Sequence, residues 1–311
     1  MRVVFLGTPA FAVPTLEALL AAGHEVICVV TQPDRPRGRG RQLSASPVKE
    51  AALRQSLPVY QPERVRRPEP IQHLAALAPD AMVVVGYGQI IPQSVIDIPP
   101  HGIINVHGSL LPKYRGAGPI QWAIANGETR TGVTTMRIDA GLDTGDMLLK
   151  AETDIGPDET AIELNARLAT AGAALLVQTL ASIGSIVPEK QDPAQATYAP
   201  LLKKEDGLIG WHQPAQAIHN RVRGFQPWPG AYTRFRGRQL HIWKSRVVAH
   251  DTREPVEAGR LLLHPLRVVC SEGALELIEV QLEGRNRIPA EAFTNGQRIA
   301  IDSDTFILGE S

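Results

Sequence analysis

Cysteine is nearly absent: Cys28 and Cys270 are the two among 311 residues. Each lies in an apolar, strand-like run, where a free thiol packs as a small hydrophobe. No Cys-x-x-Cys occurs, which excludes a zinc knuckle and a dithiol redox pair. No His/Cys/Asp/Glu grouping offers three ligands to a metal. Charge of one sign is also lacking, since 32 Lys and Arg balance 32 Asp and Glu. The chain therefore carries no overall field to draw in a polyanion, and only local charge can indicate such a partner. No apolar run approaches the ~18 residues of a membrane span. The opening stretch, 1–7, is too short for a secretory signal core and turns at Thr8-Pro9. With so few cysteines, a cytoplasmic protein is the expectation. That first turn, Gly7-Thr8-Pro9, is not Gly-x-Gly-x-x-Gly, so no dinucleotide site is read there.

What is present reads as α/β. A hydrophobic content of 43% and a charged content of 21% suit a globular chain, and 311 residues favour two domains. Residues 2–7 form a buried-strand pattern, 11–22 a helical one closed by Gly23, and 25–31 a second strand. That is a βαβ unit. Further strands are read at 59–60, 80–85 and 102–107, and a hairpin-like pair at 131–138 and 147–153. A long helix is expected to about residue 183. Pro188, Pro193 and Pro200 then mark a linker. Beyond it come a helix over 212–223 and short alternating runs at 241–248, 259–263, 266–270, 275–282 and 297–301. The expectation is a Rossmann-like catalytic domain with a mostly parallel sheet over 1–189, carrying an Arg-rich insertion loop at 32–45. A linker over 190–206 and a small OB-like β-barrel over 207–311 follow.

The chemistry gathers at one strand end. Asn105 and His107 stand two apart on a strand that enters the turn Gly108-Ser109, so both side chains share a face at the carboxyl edge of the sheet. Asn supplies an amide N–H, and His an imidazole that titrates near neutrality. Together they can hold a carbonyl oxygen and manage a proton, as acyl transfer requires. Asp143, in the Gly-bracketed turn Gly141-Leu142-Asp143-Thr144-Gly145, can orient the imidazole and stabilise its charged form. Taken singly, a strand-end His is as easily structural, and Asp143 a turn residue.

Two stretches point to phosphate. In 32–42, Arg35, Arg37, Arg39 and Arg41 alternate with Pro and Gly against a single carboxylate. Such a segment cannot pack a core and reads as an exposed loop for a phosphate-rich partner. Residues 207–250 hold seven Arg and Lys and neither Asp nor Glu. That composition suits a basic face on a nucleic-acid reader.

The run Asn105-Val106-His107-Gly108-Ser109-Leu110-Leu111-Pro112, then Lys113-Tyr114-Arg115-Gly116-Ala117-Gly118-Pro119-Ile120 and Gly141-Leu142-Asp143-Thr144-Gly145-Asp146, resembles the signature of the 10-formyltetrahydrofolate-dependent formyltransferases. The string Gln226-Pro227-Trp228-Pro229-Gly230-Ala231 is similar to an element of the branch that acts on methionyl-tRNA, with Gln226 where Asn is usual. The resemblance spans nearly the whole chain. It implies formyl transfer from 10-formyltetrahydrofolate to the α-amine of methionyl initiator tRNA, by Asn105, His107 and Asp143 and without a metal. It implies folate contacts from Ser109, Leu110, Leu111, Pro112, Tyr87 and Gly88, the last two in an element where Ile91 replaces the usual Leu. It implies tRNA contacts from the Arg35–Arg41 loop, Arg39 first, and by the same reading from Lys203, Lys204, Arg221 and Arg223. A monomer is the family precedent. Two alternatives stay open. One is a formyltransferase acting on a sugar-nucleotide or glycinamide ribonucleotide amine, which would not need the Arg-rich loop. The other is a non-enzymatic RNA-binding protein.

Overall fold

The first strand, β1 (Arg2–Gly7), is buried at every position after Arg2 up to Leu6, as a parallel strand covered on both faces must be. The structure, a computed structural model, describes residues 1–37, 42–249, 257–263 and 265–297. The chain divides into two compact units. One comprises Met1–Pro119, Arg130–Asp154 and Asn165–Ala199; the other comprises Ile120–Thr129, Ile155–Leu164 and the chain from Pro200 onward.

In the first unit β1 leads through α1 (Val13–Ala21) to β2 (Glu25–Val30), the expected βαβ unit. The Arg-rich stretch is not wholly a loop. Strands β3 (Arg35–Arg37) and β4 (Gln42–Ser44) pair antiparallel, with Arg35 opposite Ser44. A segment that cannot pack a core can still satisfy its backbone on itself. Helix α2 (Pro47–Arg54) follows, capped by the Ser46 hydroxyl, which accepts from the Lys49 N–H at 3.0 Å. Then come β5 (Val59–Tyr60), α3 (Pro68–Ala76), β6 (Ala81–Val85), α4 (Gln93–Ile96), β7 (Ile103–His107) and β8 (Arg115–Gly116). After α5 (Pro119–Ala125), which from Ile120 belongs to the second unit, come β9 (Arg130–Arg137), β10 (Met147–Asp154), α6 (Ala161–Ala181), whose first turn is also of the second unit, and β11 (Tyr198–Ala199).

The sheet order is β10-β9-β7-β6-β1-β2-β5. The five strands from β7 to β5 are parallel, while β9 and β10 are antiparallel additions beyond β7. Val3, Phe5, Ile104 and Val106 face one core with Leu16 and Leu19 of α1 and Leu176 and Leu180 of α6. Val4, Leu6, Val84 and Ile103 face the other, with Leu74 of α3. At Gly172 an added Cβ would lie 2.7 Å from Val106 Cγ1, so α6 can approach β7 this closely only as glycine. The strand carrying Asn105 and His107 is thereby backed by a tightly seated helix.

The second unit holds α7 (Ala215–Gly224) and an antiparallel sheet. Its strands are β12 (Ala231–Phe235), β13 (Arg238–Val248), β14 (Leu261–Leu262), β15 (Arg267–Val269), β16 (Ala274–Leu282) and β17 (Ile288–Pro289), with α8 (Ala290–Gln297) after them. The path runs β12-β13-β16-β15-β14, and β17 also pairs with β16. Helix α7 begins at 215 rather than 212 because Pro214 sits extended at its N-cap, with ψ 145°. Gln297 ends a helix instead of opening a strand; the remainder of the strand expected at 297–301 lies outside the described residues. Among the described residues no helix is long and apolar enough to cross a membrane.

Candidate active site

Strand β7 delivers its polar residues by parity. Ile104 and Val106 point into one core, so Asn105 and His107 share the opposite face with Ile103. Register fixes their depth: Asn105 lies opposite Val84 on β6 and Met136 on β9, and His107 opposite Thr134. Both are at least nine-tenths buried. Among the described residues the Asn105 side chain has no hydrogen-bond partner, which leaves its amide for a ligand.

The His107 ring is held at one nitrogen and faces a carboxylate with the other. Nε2 lies 2.9 Å from the Tyr114 carbonyl. A carbonyl only accepts, so Nε2 carries the proton. Nδ1 faces Asp143 Oδ2 at 3.7 Å, beyond direct hydrogen-bond length. Nδ1 is therefore the ring position left to gain or give a proton. Asp143 caps the turn between β9 and β10, and its Oδ2 accepts the Gly116 N–H at 2.8 Å. Its φ of 52° is in the left-handed region. An outside grip on this turn is supplied by Gln191, whose Nε2 donates to the carbonyls of Asp143 at 2.7 Å and Gly145 at 2.8 Å. Gln191 Oε1 in turn accepts from Arg115 Nε at 2.9 Å and Nη2 at 2.7 Å.

The loop after β7 is fastened to β9. Thr134 Oγ1 donates to the Ser109 carbonyl at 2.7 Å and accepts from the Leu111 N–H at 3.2 Å. The Ser109 hydroxyl turns inward to the Lys113 carbonyl at 2.6 Å. Leu111 packs on Met136 and Met147, and Leu111-Pro112 is cis. Only Leu110 and Pro112 of these four keep part of their surface open. Near the carboxyl ends of β1, β2 and β6, Thr8 Oγ1 and Gln32 Nε2 donate to the Tyr87 carbonyl at 3.0 and 3.2 Å. The Tyr87 side chain, expected among the folate contacts, turns inward. It is fully buried in the core beside Val84 and Ile103, and burial pushes its phenol upward in pKa. Gly88, with φ 82°, is exposed.

The formyl transferase family matches residues 1–180, and the formyl transferase C-terminal domain matches 201–298. The chain belongs to the formyl transferase family. A relative from Solibacter usitatus named methionyl-tRNA formyltransferase is 72% identical over 302 residues, 96% of each chain. One of the same name from Geobacter sulfurreducens is 52% identical over 301 residues, 96% of this chain and 95% of the relative. Among solved structures, a Helicobacter canadensis N-formyltransferase in complex with folinic acid and dTDP-3-aminofucose matches with TM-score 0.65 at 18% identity, covering 93% of this chain and 100% of that one. HypX from Aquifex aeolicus, in complex with tetrahydrofolic acid, matches with TM-score 0.62 at 16% identity, covering 98% and 48%. At such identities the likeness is one of fold.

In this formyl transferase chain the expected phosphate-facing cations fall into three groups. Arg35 is exposed and ion-paired to Glu63 at 3.2 Å, while Lys203 and Lys204 are exposed and Arg221 is half-buried over the Phe225 ring. Arg37 lies in β3, and Arg39 and Arg41 lie outside the described residues. Arg223 stands apart from these. It is buried, with its guanidinium donating to Asn220 Oδ1 and to the carbonyls of Gly156 and Glu159, and it lines a cavity of about 430 Å³ with Asp158, His219 and Arg246. Thr134, Gln191 and Arg115 are the site residues that sequence reasoning did not assign. Gln191 in particular sits among prolines that read as a solvated linker.

Proposed function

We propose that this chain transfers the formyl group of 10-formyltetrahydrofolate to the α-amine of methionine esterified to initiator tRNA. The observation that carries this reading is the grouping of Asn105, His107 and Asp143 at the carboxyl edge of a parallel sheet, in a family whose close relatives bear that name. The amine nitrogen bonds to the formyl carbon, the carbonyl oxygen becomes an oxyanion, and the carbon–N10 bond of the folate breaks. Asn105 donates its free amide N–H to the oxyanion. His107, committed at Nε2, takes the amine proton at Nδ1 and returns it to the departing nitrogen. Asp143 faces Nδ1 and balances the imidazolium that forms. A folate formamide is an activated donor, so the set requires no metal.

The folate lies, on this reading, along Leu110, Pro112 and the backbone of Gly88, with Ser109 and Leu111 shaping the loop from within. The tRNA is met by Arg35, Arg37, Arg39 and Arg41 and by Lys203, Lys204 and Arg221. Residues 1–189 form the catalytic domain and 207–311 the tRNA-binding one, in a cytoplasmic, monomeric enzyme. The test is formyl transfer to methionyl initiator tRNA at two salt concentrations, with Arg39→Ala beside the parent. Transfer that weakens with salt and with the substitution is expected. Turnover on a small sugar amine, with none on tRNA, would keep the chemistry and remove the acceptor.

A further inference from the structure

Arg115 is buried, with 5% of its surface exposed, and among the described residues it has no carboxylate partner. A buried cation without an acid is costly unless something else occupies its donors. Here Nε and Nη2 both point at one atom, Gln191 Oε1. Gln191 is itself buried, and its two amide hydrogens go to the Asp143 and Gly145 carbonyls. The cation fixes which end of the amide is which. Turned over, the amide would set N–H groups against guanidinium N–H groups, so its hydrogens must face the turn. Asn would be a methylene too short, Glu would lack the donors, and Leu would lack both functions.

The same short stretch holds every other part of the pair. Tyr114 gives its carbonyl to His107, and Gly116 gives its N–H to Asp143. That stretch is anchored by the segment carrying Gln191. The Tyr114 N–H donates to Thr197 Oγ1 at 2.8 Å, the Arg115 N–H to the Thr197 carbonyl at 2.8 Å, and β8 pairs with β11. At Gly116, φ is +112° and an added Cβ would lie 2.7 Å from the Ala199 carbonyl oxygen. Asp143 sits in a left-handed conformation that a non-glycine residue holds only where its surroundings impose it.

We infer that Gln191 and Arg115 are positioning residues for Asp143: the relay grips the turn's backbone while Gly116 grips the carboxylate, which, on the functional reading above, keeps Asp143 facing His107. The stretch from Gln191 to Ala199 is then part of the active site, not a tether. Gln191→Leu is expected to lower kcat about 10–100-fold, the scale of a misplacement of order 1 Å, while KM for 10-formyltetrahydrofolate stays within about twofold. Gln191→Glu keeps an acceptor for Arg115, and so the fold, but loses both donors and should show the same loss. In an Asp143→Ala background, Gln191→Leu should add less than about twofold, because residues acting through one group are not additive. Without any turnover, hydrogen exchange at the Gly116 amide should quicken at least ~10-fold in both Gln191 variants while the β1 and β6 amides stay unchanged. Parent-like kcat in both variants, losses that multiply with Asp143→Ala, or an unchanged Gly116 amide would overturn the relay. If the parent transfers no formyl group, the functional reading falls and the Gly116 exchange alone decides the relay.

Discussion

At the scale of residues, Asn105 and His219 show what burial does to a polar side chain with different neighbours. Asn105 is nine-tenths buried with an uncommitted amide, which a ligand or water can complete. Asn105→Ala should lower kcat by ~10²–10³, the cost of one oxyanion donor, with little change in folate affinity measured by titration. Near-parental kcat would remove Asn105 from the chemistry. His219 is buried and fully partnered: Nδ1 meets Ser245 Oγ at 3.0 Å, and Nε2 meets Asp158 at 3.3 Å. Desolvation, then the nearby Arg223 guanidinium, lowers its pKa below the usual histidine value of 6.5, outweighing Asp158. The folded state therefore binds that proton less readily than the unfolded one. Its contribution to stability is whole above about pH 6.5 and declines as pH falls through that value toward the folded pKa. Unfolding free energy should drop between about pH 7 and 5, and His219→Gln should flatten part of that slope. The residual slope belongs to His24 and His241, which burial also lowers. An identical slope in the variant would show that His219 does not titrate on unfolding. As candidates, Asn105, His107 and Asp143 were legible because each sits in a short local run, and the fold brings His107 and Asp143 to 3.7 Å. The direction of the Tyr87 ring was not: all five residues of β6 before it are buried, so no alternation says which way a side chain turns.

At the scale of elements, alternation and turn residues gave most strands, since a two-residue period is local and the sheet only selects among its faces. What they could not give was how β9 secures the loop after β7. Thr134 is fully buried and is an unremarkable β-former by propensity, yet its hydroxyl serves two backbone groups of that loop, 23 and 25 residues away in sequence. Thr134→Val keeps the shape and removes both bonds, leaving the Leu111 N–H and the Ser109 carbonyl unpaired in the interior. The expected loss is on the order of 1–3 kcal/mol, read as a lower urea midpoint at constant m-value. The loop shapes the proposed folate pocket, so KM for 10-formyltetrahydrofolate should rise more than kcat falls. A variant as stable as the parent would mean that water replaces the hydroxyl.

At the scale of the molecule, composition says least where it is most regular. The proline-spaced stretch carries Gln191 and Thr197, which reach back to the turn after β9 and to Tyr114 through contacts that no window of sequence contains. The second unit likewise draws on chain that precedes it. The Trp122 ring meets Phe225 edge-on at 5.3 Å, and its indole N–H donates to the Pro200 carbonyl at 2.9 Å. Arg223, buried in α7, relies on the carbonyls of Gly156 and Glu159, both at 3.2 Å. Gly224 allows α5 and α7 to touch backbone to backbone, since an added Cβ would meet the Ala125 nitrogen at 2.9 Å. The stretch matched by the C-terminal family, 201–298, contains none of Trp122, Gly156 or Glu159. Cutting before residue 201 would uncover Phe225 and strip a buried guanidinium of two charge-assisted bonds, each worth ~1.5–3 kcal/mol. That is a large share of the ~5–15 kcal/mol that holds a domain folded. A fragment starting at 201 should therefore melt well below the second unit within the full chain, or lose its near-ultraviolet circular dichroism altogether. Arg223→Leu, which removes the orphaned charge, should recover part of that loss in the fragment while destabilising the full chain. A fragment as stable as its intact counterpart would show that 201 onward carries its own core, and that the earlier segments merely rest upon it.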